Sequence, residues 1–472
     1  MLKRCLTSIQ SLDFDAILVF YLFSLTGLVL LSHYFINYLI LWVFVAVAFL
    51  LLIMNLKNSW LLNRLHRINI LKLFVILLVI SIVLRLIFLI QKPFLSSDLE
   101  NLYVVRSQLM LDGKVPYRDF VVNKPPLYAY LLYAMGLGLG AGQIQFRIFF
   151  SMIDSLIPIV IYLIGSRMWN KKFGIIAALA YTFCPIPLLE IGISGHYDSI
   201  PVLFVMVSFL LLLKEKPTLS GLSLGLAFAF KVYPIVLLPF FLIWIKPWKG
   251  RIGHAIAFPI PMIISMIPIM FIYPSGLLDI STYQGIEEQS WGLISGPLVD
   301  FFGSTILGLK ISTLVLIVFL FLIILLFYST AVKRKSYKLW VKVIILVLSF
   351  MAVLWILQRA DSDLSTAIIA LVILISIIIL LLAYIPLSKF LDPFLSSSVT
   401  PKDDLLIQSS FAILLLIFGS AQTHAWYLLW VLPFVLLIRA KDPKWFFLIL
   451  LLVMHPIEYL AHPYWFSGLM YP

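Results

Sequence analysis

Apolar runs of roughly 18 residues or more, long enough to cross a bilayer, recur from one end of this 472-residue chain to the other. The pattern predicts spans over Asp15–Ser32, Tyr38–Met54 and Ile70–Ile90, a fourth ending at Arg167, and a fifth over Phe173–Leu189. A sixth ends at Lys214, and Ile252–Tyr273, Ile306–Tyr328, Trp340–Leu357, Leu364–Ile385, Leu405–Gly419, Trp426–Leu437 and Trp445–Leu460 follow. Ser220–Ile245 reads either as one long tilted helix or as two short helices broken at Phe230-Lys231-Val232-Tyr233-Pro234. Proline removes a donor and disfavours helix at the residue before it, which fits a break.

The basic residues choose between these readings. Lys57, Arg64, Arg67 and Lys72, then Arg167, Lys171 and Lys172, then Lys214 and Lys216 fall at alternate span ends, the signature of cytoplasmic loops. A hairpin with Lys231 at its outer tip places 13 later basic residues, Lys246 to Lys444, on that same face, against Arg359 alone outside. A single crossing reverses the count, so the hairpin is expected. The reading is an all-α polytopic membrane protein in one integral domain, 1–472, with a cytoplasmic N-terminus. It has about 13–15 transmembrane helices by run length, an external loop at 91–145 and a second at 274–303 that reads as a lid.

Composition agrees. The chain is 63% hydrophobic and 12% charged, with mean hydropathy +1.10, outside the range of soluble domains. The net charge of +13 is accounted for by loop topology, so nucleic acid is set aside as a partner. Cys5 and Cys184 lie far apart without metal-like spacing, which argues against a disulfide framework or a metal cage. Lys3 and Arg4 precede a long apolar segment with no small-residue cleavage site, so the first span reads as retained.

The longest polar interval starts at Ser96. It carries Asp98, Glu100, Arg106, Asp112, Lys114, Arg118, Asp119 and Lys124. Ser97-Asp98-Leu99-Glu100 has the capping-box form, and Leu99, Leu102, Val105 and Leu109 then make an apolar stripe. An amphipathic helix lying at the interface is expected. Asp98, in its first turn, is favoured in the ionised form by the helix dipole and is the first candidate for a general base. Glu100, read mainly as a cap, and Asp119, read mainly as a partner of Arg118, are the second acids. The same topology brings His196, Asp198, Lys231, Glu287, Glu288, Trp291 and His424 to the outer face. Lys231 defies the basic-inside trend there, so an external anion is its natural partner. His33, His66, His254, His455 and His462 read as structural.

Asp98 with Tyr103, Gly113-Lys114-Val115-Pro116-Tyr117-Arg118-Asp119-Phe120 and Pro125-Pro126-Leu127-Tyr128-Ala129-Tyr130 resemble the first external loop of GT-C fold glycosyltransferases. Pro125–Tyr130 and Gly195-His196-Tyr197-Asp198 resemble the dolichyl-phosphate-glucose-dependent glucosyltransferases. Lys231-Val232-Tyr233-Pro234 and His424-Ala425-Trp426-Tyr427-Leu428-Leu429-Trp430 resemble prokaryotic polyprenyl-phosphate mannosyltransferases. One departure is that Leu99 separates Asp98 from Glu100 where many such loops carry adjacent acids.

The resemblance implies transfer of a hexose from a polyprenyl or dolichyl phosphate to a glycan or lipid acceptor, with inversion and Asp98 as base. Lys231 and His424 would meet the donor phosphate. Tyr117, Arg118, His196, Asp198 and Trp291 would line the acceptor or sugar pocket. No cofactor or divalent metal is expected. The setting would be the plasma membrane with the site on its outer face, or the endoplasmic reticulum lumen in a eukaryote. The competing reading is a transporter or lipid-linked sugar flippase, because a Pro-broken Ser220–Ile245 also suits a discontinuous transport helix.

Overall fold

The computed structural model describes residues 14–31, 35–90, 98–122, 124–273, 400–420 and 424–461, with short pieces between 305 and 323. The predicted spans Ile306–Tyr328 (for the most part), Trp340–Leu357 and Leu364–Ile385, the lid at 274–303, and Trp291, Glu287, Glu288 and Arg359 lie outside the described residues. The described chain is helical apart from a two-residue antiparallel pair at Thr305–Ile306 and Leu309–Lys310 and an isolated bridge between Pro116 and Phe120.

Helices α1 (Phe14–Leu31) and α2 (Phe35–Leu56) form a hairpin, and α2 bends by 53° into the short α3 (Trp60–Arg67). Helix α4 (Ile70–Ile87) follows, and then the π-helical turn π1 (Leu99–Val104), which continues as α5 (Val105–Leu111). Next come α6 (Pro126–Leu139), α7 (Gln143–Asp154), α8 (Ile157–Met168) and α9 (Lys171–Thr182). A second π turn, π2 (Leu188–Ile193), leads to α10 (Ser199–Leu213) and α11 (Pro217–Phe230). After the 3-10 turn Tyr233–Leu237 run α12 (Leu238–Trp244), α13 (Trp248–Ala257) and α14 (Ile260–Ile272). The C-terminal part holds α15 (Pro401–Gly419), the 3-10 turn Ala425–Trp430, α16 (Leu432–Leu437) and α17 (Lys441–Ala461).

Among the described residues, four segments are long and apolar enough to cross a bilayer, Ile70–Ile87, Gln143–Met168, Lys171–Ile193 and Trp248–Ile272, and the bent pair Ile40–Leu56 and Trp60–Arg67 makes a fifth if taken as one span. The other predicted spans in the described residues appear as shorter or bent apolar helices, and Pro234 and Pro433 fall where Ser220–Ile245 and Trp426–Leu437 change between α and 3-10 turns. Within 91–145, read as one loop, Pro126–Leu139 forms an apolar helix instead. It packs on α5, α11 and α14, where Ser107 Oγ donates to Leu132 O at 2.9 Å and Tyr130 Oη to Ser265 O at 2.9 Å.

The hairpin at Lys231 is present. Gly221 of α11 lies against the His254 backbone and Gly225 against Phe258, so α11 runs parallel to α13 and α14. Parallel neighbours require a return strand of chain between them. Tyr233–Trp244 supplies it and brings Ile245 back to Pro217, both beside Gly250. A side chain at Gly221 or Gly225 would push into backbone, so the close crossing depends on glycine.

At this return end the basic side chains cap helix C-termini. Lys171 Nζ donates to Ile68 O and Lys402 Nζ to Met168 O, each at 2.8 Å. Arg167 donates to Leu213 O at 2.9 Å and Arg251 to Ile245 O at 2.7 Å. The last carbonyls of a helix have no partner within it and lie at the negative end of its dipole.

Candidate functional site

Four departures from regular α-helix converge at the other end of the bundle: π1, π2, the break at Lys231–Val232, and the 3-10 turn Ala425–Trp430. Irregular backbone at membrane depth survives where it is buried in protein or lines a cavity, and π turns are often found at functional positions. Gly195 closes this end. Its φ of +71° suits glycine, and an added Cβ would lie 2.8 Å from Arg147 Cγ and 3.0 Å from Leu99. Arg147, itself buried, donates to Phe88 O at 2.7 Å and to Gly192 O at 2.8 Å, tying the end of α4 to π2.

Lys231 follows the last residue of α11, and its Nζ donates to Asp198 Oδ1 at 2.6 Å. Trp430 Nε1 donates to the same oxygen at 2.6 Å. The ammonium lies 4.7 Å from the ring centroids of Tyr427 and Trp430 and 5.2 Å from Tyr197. Trp430 stacks between Tyr233, at 4.1 Å, and Tyr427, at 4.2 Å. The buried lysine is thus held by one carboxylate and an aromatic cage, both of which favour the charged form. Asp198 Oδ2 and the hydroxyls of Tyr197 and Tyr233 are buried and have no hydrogen-bond partner among the described residues.

His196 and His424 stack on Trp426 at 3.8 and 4.1 Å. His424 also meets the edge of Tyr427 at 5.3 Å. Lys231 and His424, 193 positions apart in sequence, therefore flank one tyrosine. Burial first, then the charges of Lys231 and Lys124, hold the His196 imidazole well below its usual range, so it is neutral.

Asp98 opens the helix with φ −57° and ψ −39° and makes no side-chain cap. Burial raises its carboxyl above the usual range, while Lys124, Lys231 and Arg106 pull it down and Asp198 pushes it up. All four charged groups therefore lie close enough for their charges to act on it. Lys124 is lowered to about 8 by burial first and by Lys231 second. Arg106 Nη1 approaches Tyr128 Oη at 3.4 Å.

The loop helix departs from the predicted stripe. Leu99, Tyr103, Arg106, Ser107 and Met110 are buried, whereas Val105 is 46% exposed. The π turn takes more residues per turn, so the inward face moves by one position and carries Tyr103 and Arg106 toward the charged cluster. Glu100 is exposed, and Ser97, its expected capping partner, lies outside the described residues. Arg118 and Asp119 pair with each other at 2.8 and 2.9 Å near the surface. The Arg118 hydrogen bond first, and the Val115 N–H second, hold Asp119 down at about 2. Tyr117 Oη donates to Lys124 O at 2.7 Å, bracing the loop that carries Lys124.

The structure thus gathers Asp98, His196, Asp198, Lys231 and His424, and leaves Glu100, Arg118 and Asp119 at the periphery. It adds Tyr103, Arg106, Lys124, Glu190, Tyr427, Trp430 and His455. Glu190 is fully buried in π2, and its Oε1 accepts from His455 Nε2 at 2.7 Å. A lone carboxylate inside an apolar run was the available signal for Glu190. His455, taken as structural, is its partner and stacks on Trp42 at 4.2 Å.

Comparisons with known proteins find similarity to glycosyltransferases. A stretch of 135 residues is 31% identical to the dolichyl-phosphooligosaccharide-protein glycotransferase 2 of Archaeoglobus fulgidus, covering 25% of this chain and 22% of that protein. Another, of 134 residues, is 25% identical to GPI mannosyltransferase 1 of Saccharomyces cerevisiae, covering 28% of this chain and 32% of that protein. The chain spans under a third of the length of either relative. Residues 124–383, which take in Lys124, His196, Asp198 and Lys231, match Glycosyltransferase family 87. With more than half its length so matched, and GT-C-like loop motifs brought together at one end of a helical membrane bundle, the chain belongs to glycosyltransferase family 87.

Proposed function

We propose that this protein transfers a hexose from a polyprenyl-phosphate donor to a hydroxyl of a glycan or lipid acceptor, with inversion, at the Asp98 end of the bundle. The observation that carries the reading is the charge pattern there. Three cations, Arg106, Lys124 and Lys231, face two carboxylates, Asp98 and Asp198. Such a site suits one added negative charge, as a sugar phosphodiester brings.

In the proposed reaction the acceptor oxygen bonds to the anomeric carbon as the bond from that carbon to the phosphate oxygen breaks. Asp98 takes the acceptor proton. The lipid phosphate leaves with the bonding pair, its charge met by Lys231, Lys124 and His424, fixed donors that need little rearrangement. The unpartnered Asp198 Oδ2, Tyr197 and Tyr233 hydroxyls are suited to sugar hydroxyls. Capping of helix ends by lysine and arginine gathers positive charge at the opposite end, which supports placing the site outside the cytoplasm. Mannose, carried in the name of the yeast relative, is the first sugar to try.

The test is a transfer assay with a panel of polyprenyl-phosphate sugars, on wild type and Asp98→Asn. The variant keeps the shape and loses the basicity, so transfer should fall by about 10²–10⁴-fold with donor binding retained. Near-normal transfer by a stably folded Asp98→Asn would remove Asp98 as the base. A wild type inert toward every such donor, yet moving lipid-linked sugars across vesicles, would favour the flippase.

A further inference from the structure

At the end of the bundle away from Asp98, the turn 245–247 folds α13 back beside α12. A groove of about 510 Å³ lies between the two helices. Leu242 and Ile243 line it from α12, and Trp248, Ile252 and Ala255 from α13. Arg251 is its one charged lining residue.

The groove is on the face of α13 that the bundle does not use. Gly250, Gly253 and His254 meet Pro217 and Thr218 at the start of α11. Trp248, Ile252 and Ala255 fall on the opposite side of the helix by its period. Trp248 is 69% exposed and Ile252 42%. In a membrane protein such a face meets lipid, and tryptophan is the side chain that prefers the boundary between hydrocarbon and headgroups.

Arg251 stands where the groove closes. Its Nε donates to Ile245 O at 2.7 Å. A guanidinium has five N–H donors, and those on the two Nη atoms of Arg251 have no hydrogen-bond partner among the described residues. Lys246 and Lys249, both exposed, lie in the same turn and in the first turn of α13. From Tyr233 to Tyr273 the chain carries no carboxylate. Glu215, in the turn before α11, stands between Lys214 and Lys216.

We propose that this groove binds an anionic glycerophospholipid, with its phosphate on Arg251, Lys246 and Lys249 and an acyl chain against Leu242, Ile243, Ile252 and Ala255. Guanidinium takes a phosphate through two parallel N–H···O bonds, and basic pockets between membrane helices take anionic headgroups. A soluble anion would meet the cations and leave the apolar walls bare. A zwitterionic lipid would cover the walls and bring an ammonium to three cations. An anionic lipid satisfies both. It also braces Tyr233–Trp244, the arm that returns from Lys231, without reaching the Asp98 end.

The inference is independent of the reaction proposed above, and its test reads stability. Thermal unfolding of the full chain, stripped of lipid in detergent, is followed against phosphatidylglycerol, phosphatidylcholine with the same acyl chains, glycerol phosphate and polyprenyl phosphate. A ligand of the folded state raises the transition temperature. Phosphatidylglycerol should raise it well beyond phosphatidylcholine or glycerol phosphate. Ala255→Trp keeps every charge and fills the groove, so it should erase the difference between the two lipids. Arg251→Gln should raise the half-saturating phosphatidylglycerol about fivefold, the worth of one interfacial charge. The Lys214→Gln/Lys216→Gln pair removes charge beside the groove and should respond like wild type.

An undiminished phosphatidylglycerol shift in Ala255→Trp would place the lipid elsewhere and overturn the proposal. Equal shifts from both phospholipids, or a loss in the Lys214/Lys216 pair as large as in Arg251→Gln, would overturn it too, since the groove would then read no charge or only the general surface charge. A shift given by polyprenyl phosphate alone, and lost in Ala255→Trp, would assign the groove to a different lipid. Arg251→Gln also gives up the bond to Ile245 O; where it does not fold, Ala255→Trp decides the matter.

Discussion

At the end of the bundle away from Asp98, lysine and arginine are spent on backbone. Lys171, Lys402, Arg167 and Arg251 each donate to a carbonyl near a helix C-terminus. Lys444 donates to Leu436 O at 3.1 Å, and Asp403 accepts from the Arg439 and Ala440 amides at 2.7 and 3.1 Å. At the Asp98 end Arg147 performs that service. Lys231 is held by a carboxylate instead, and the Lys124 ammonium lies within range of the Asp98 and Asp198 charges. Charge that completes helices at one end is held in reserve at the other. The backbone follows the same division, with regular, capped helices on one side and π turns, 3-10 turns and a broken helix on the other.

The largest effect should come from breaking a reserved pair. Lys231→Ala takes from buried Asp198 its paired cation and leaves the Trp430 Nε1–H bond, a loss of roughly 3–5 kcal/mol by the usual cost of orphaning a buried charge. Adding Asp198→Asn should recover much of the stability and none of the transfer. Thermal unfolding in detergent, run beside the transfer assay, reads both quantities. Recovery of transfer in the double variant would show that the pair is structural, like the contacts at the opposite end.

The hydrophobic pattern made the regular part of the molecule legible. Spans and basic loops follow from periodicity and charge alone, and the Lys231 hairpin followed from counting lysines. The site was legible only as isolated polar residues. Asp98, His196, Asp198, Lys231 and His424 stood out because each interrupts or borders an apolar run. Glu190 interrupts an apolar run as well and was passed over, while Tyr103 entered only through its motif. Arg106 did not stand out, because the π turn before it leaves no mark in a helical pattern: the inward face differs by one position from the α-helical one, and one position separates Val105 from Arg106. Lys124 was hidden among other loop charges until the turn braced by Tyr117 brought it inward.

The opposite end offers the matching experiment. Asp403→Ala strips two backbone amides of their acceptor and removes the capping box with Thr400. The expected loss is about 1–3 kcal/mol of stability, with transfer per folded molecule intact. A selective loss of transfer there would mean that the two ends are coupled and the division too sharp.

Smaller still is the response of Lys124 to pH. Its ammonium, lowered to about 8, is charged below that pH and loses its proton as pH rises through it. If it meets donor phosphate, donor KM should climb several-fold between about pH 7 and 9, following the fraction protonated. Lys124→Arg, which stays charged, should abolish the rise. A donor KM that is flat over this range would return Lys124 to the solvated loop.

The smallest effect should come from Asp119, which shares the loop with Asp98 and its residue type. The two carboxyls are pushed in opposite directions. Burial raises Asp98, whereas the Arg118 hydrogen bond and the Val115 amide hold Asp119 down at about 2. A carboxylate that weak draws little proton from an acceptor hydroxyl, and its neighbour is solvent rather than Lys231. In Asp119→Asn the amide oxygen can still accept from Val115, so the turn should persist. Transfer is expected within about twofold of wild type and the acid limb unmoved, since a residue outside proton transfer leaves no trace in that limb. A fall as deep as that of Asp98→Asn would move the base to the surface of the loop. It would also mean that burial among paired charges, the feature that separates the two ends of this bundle, does not mark the residues that do the chemistry.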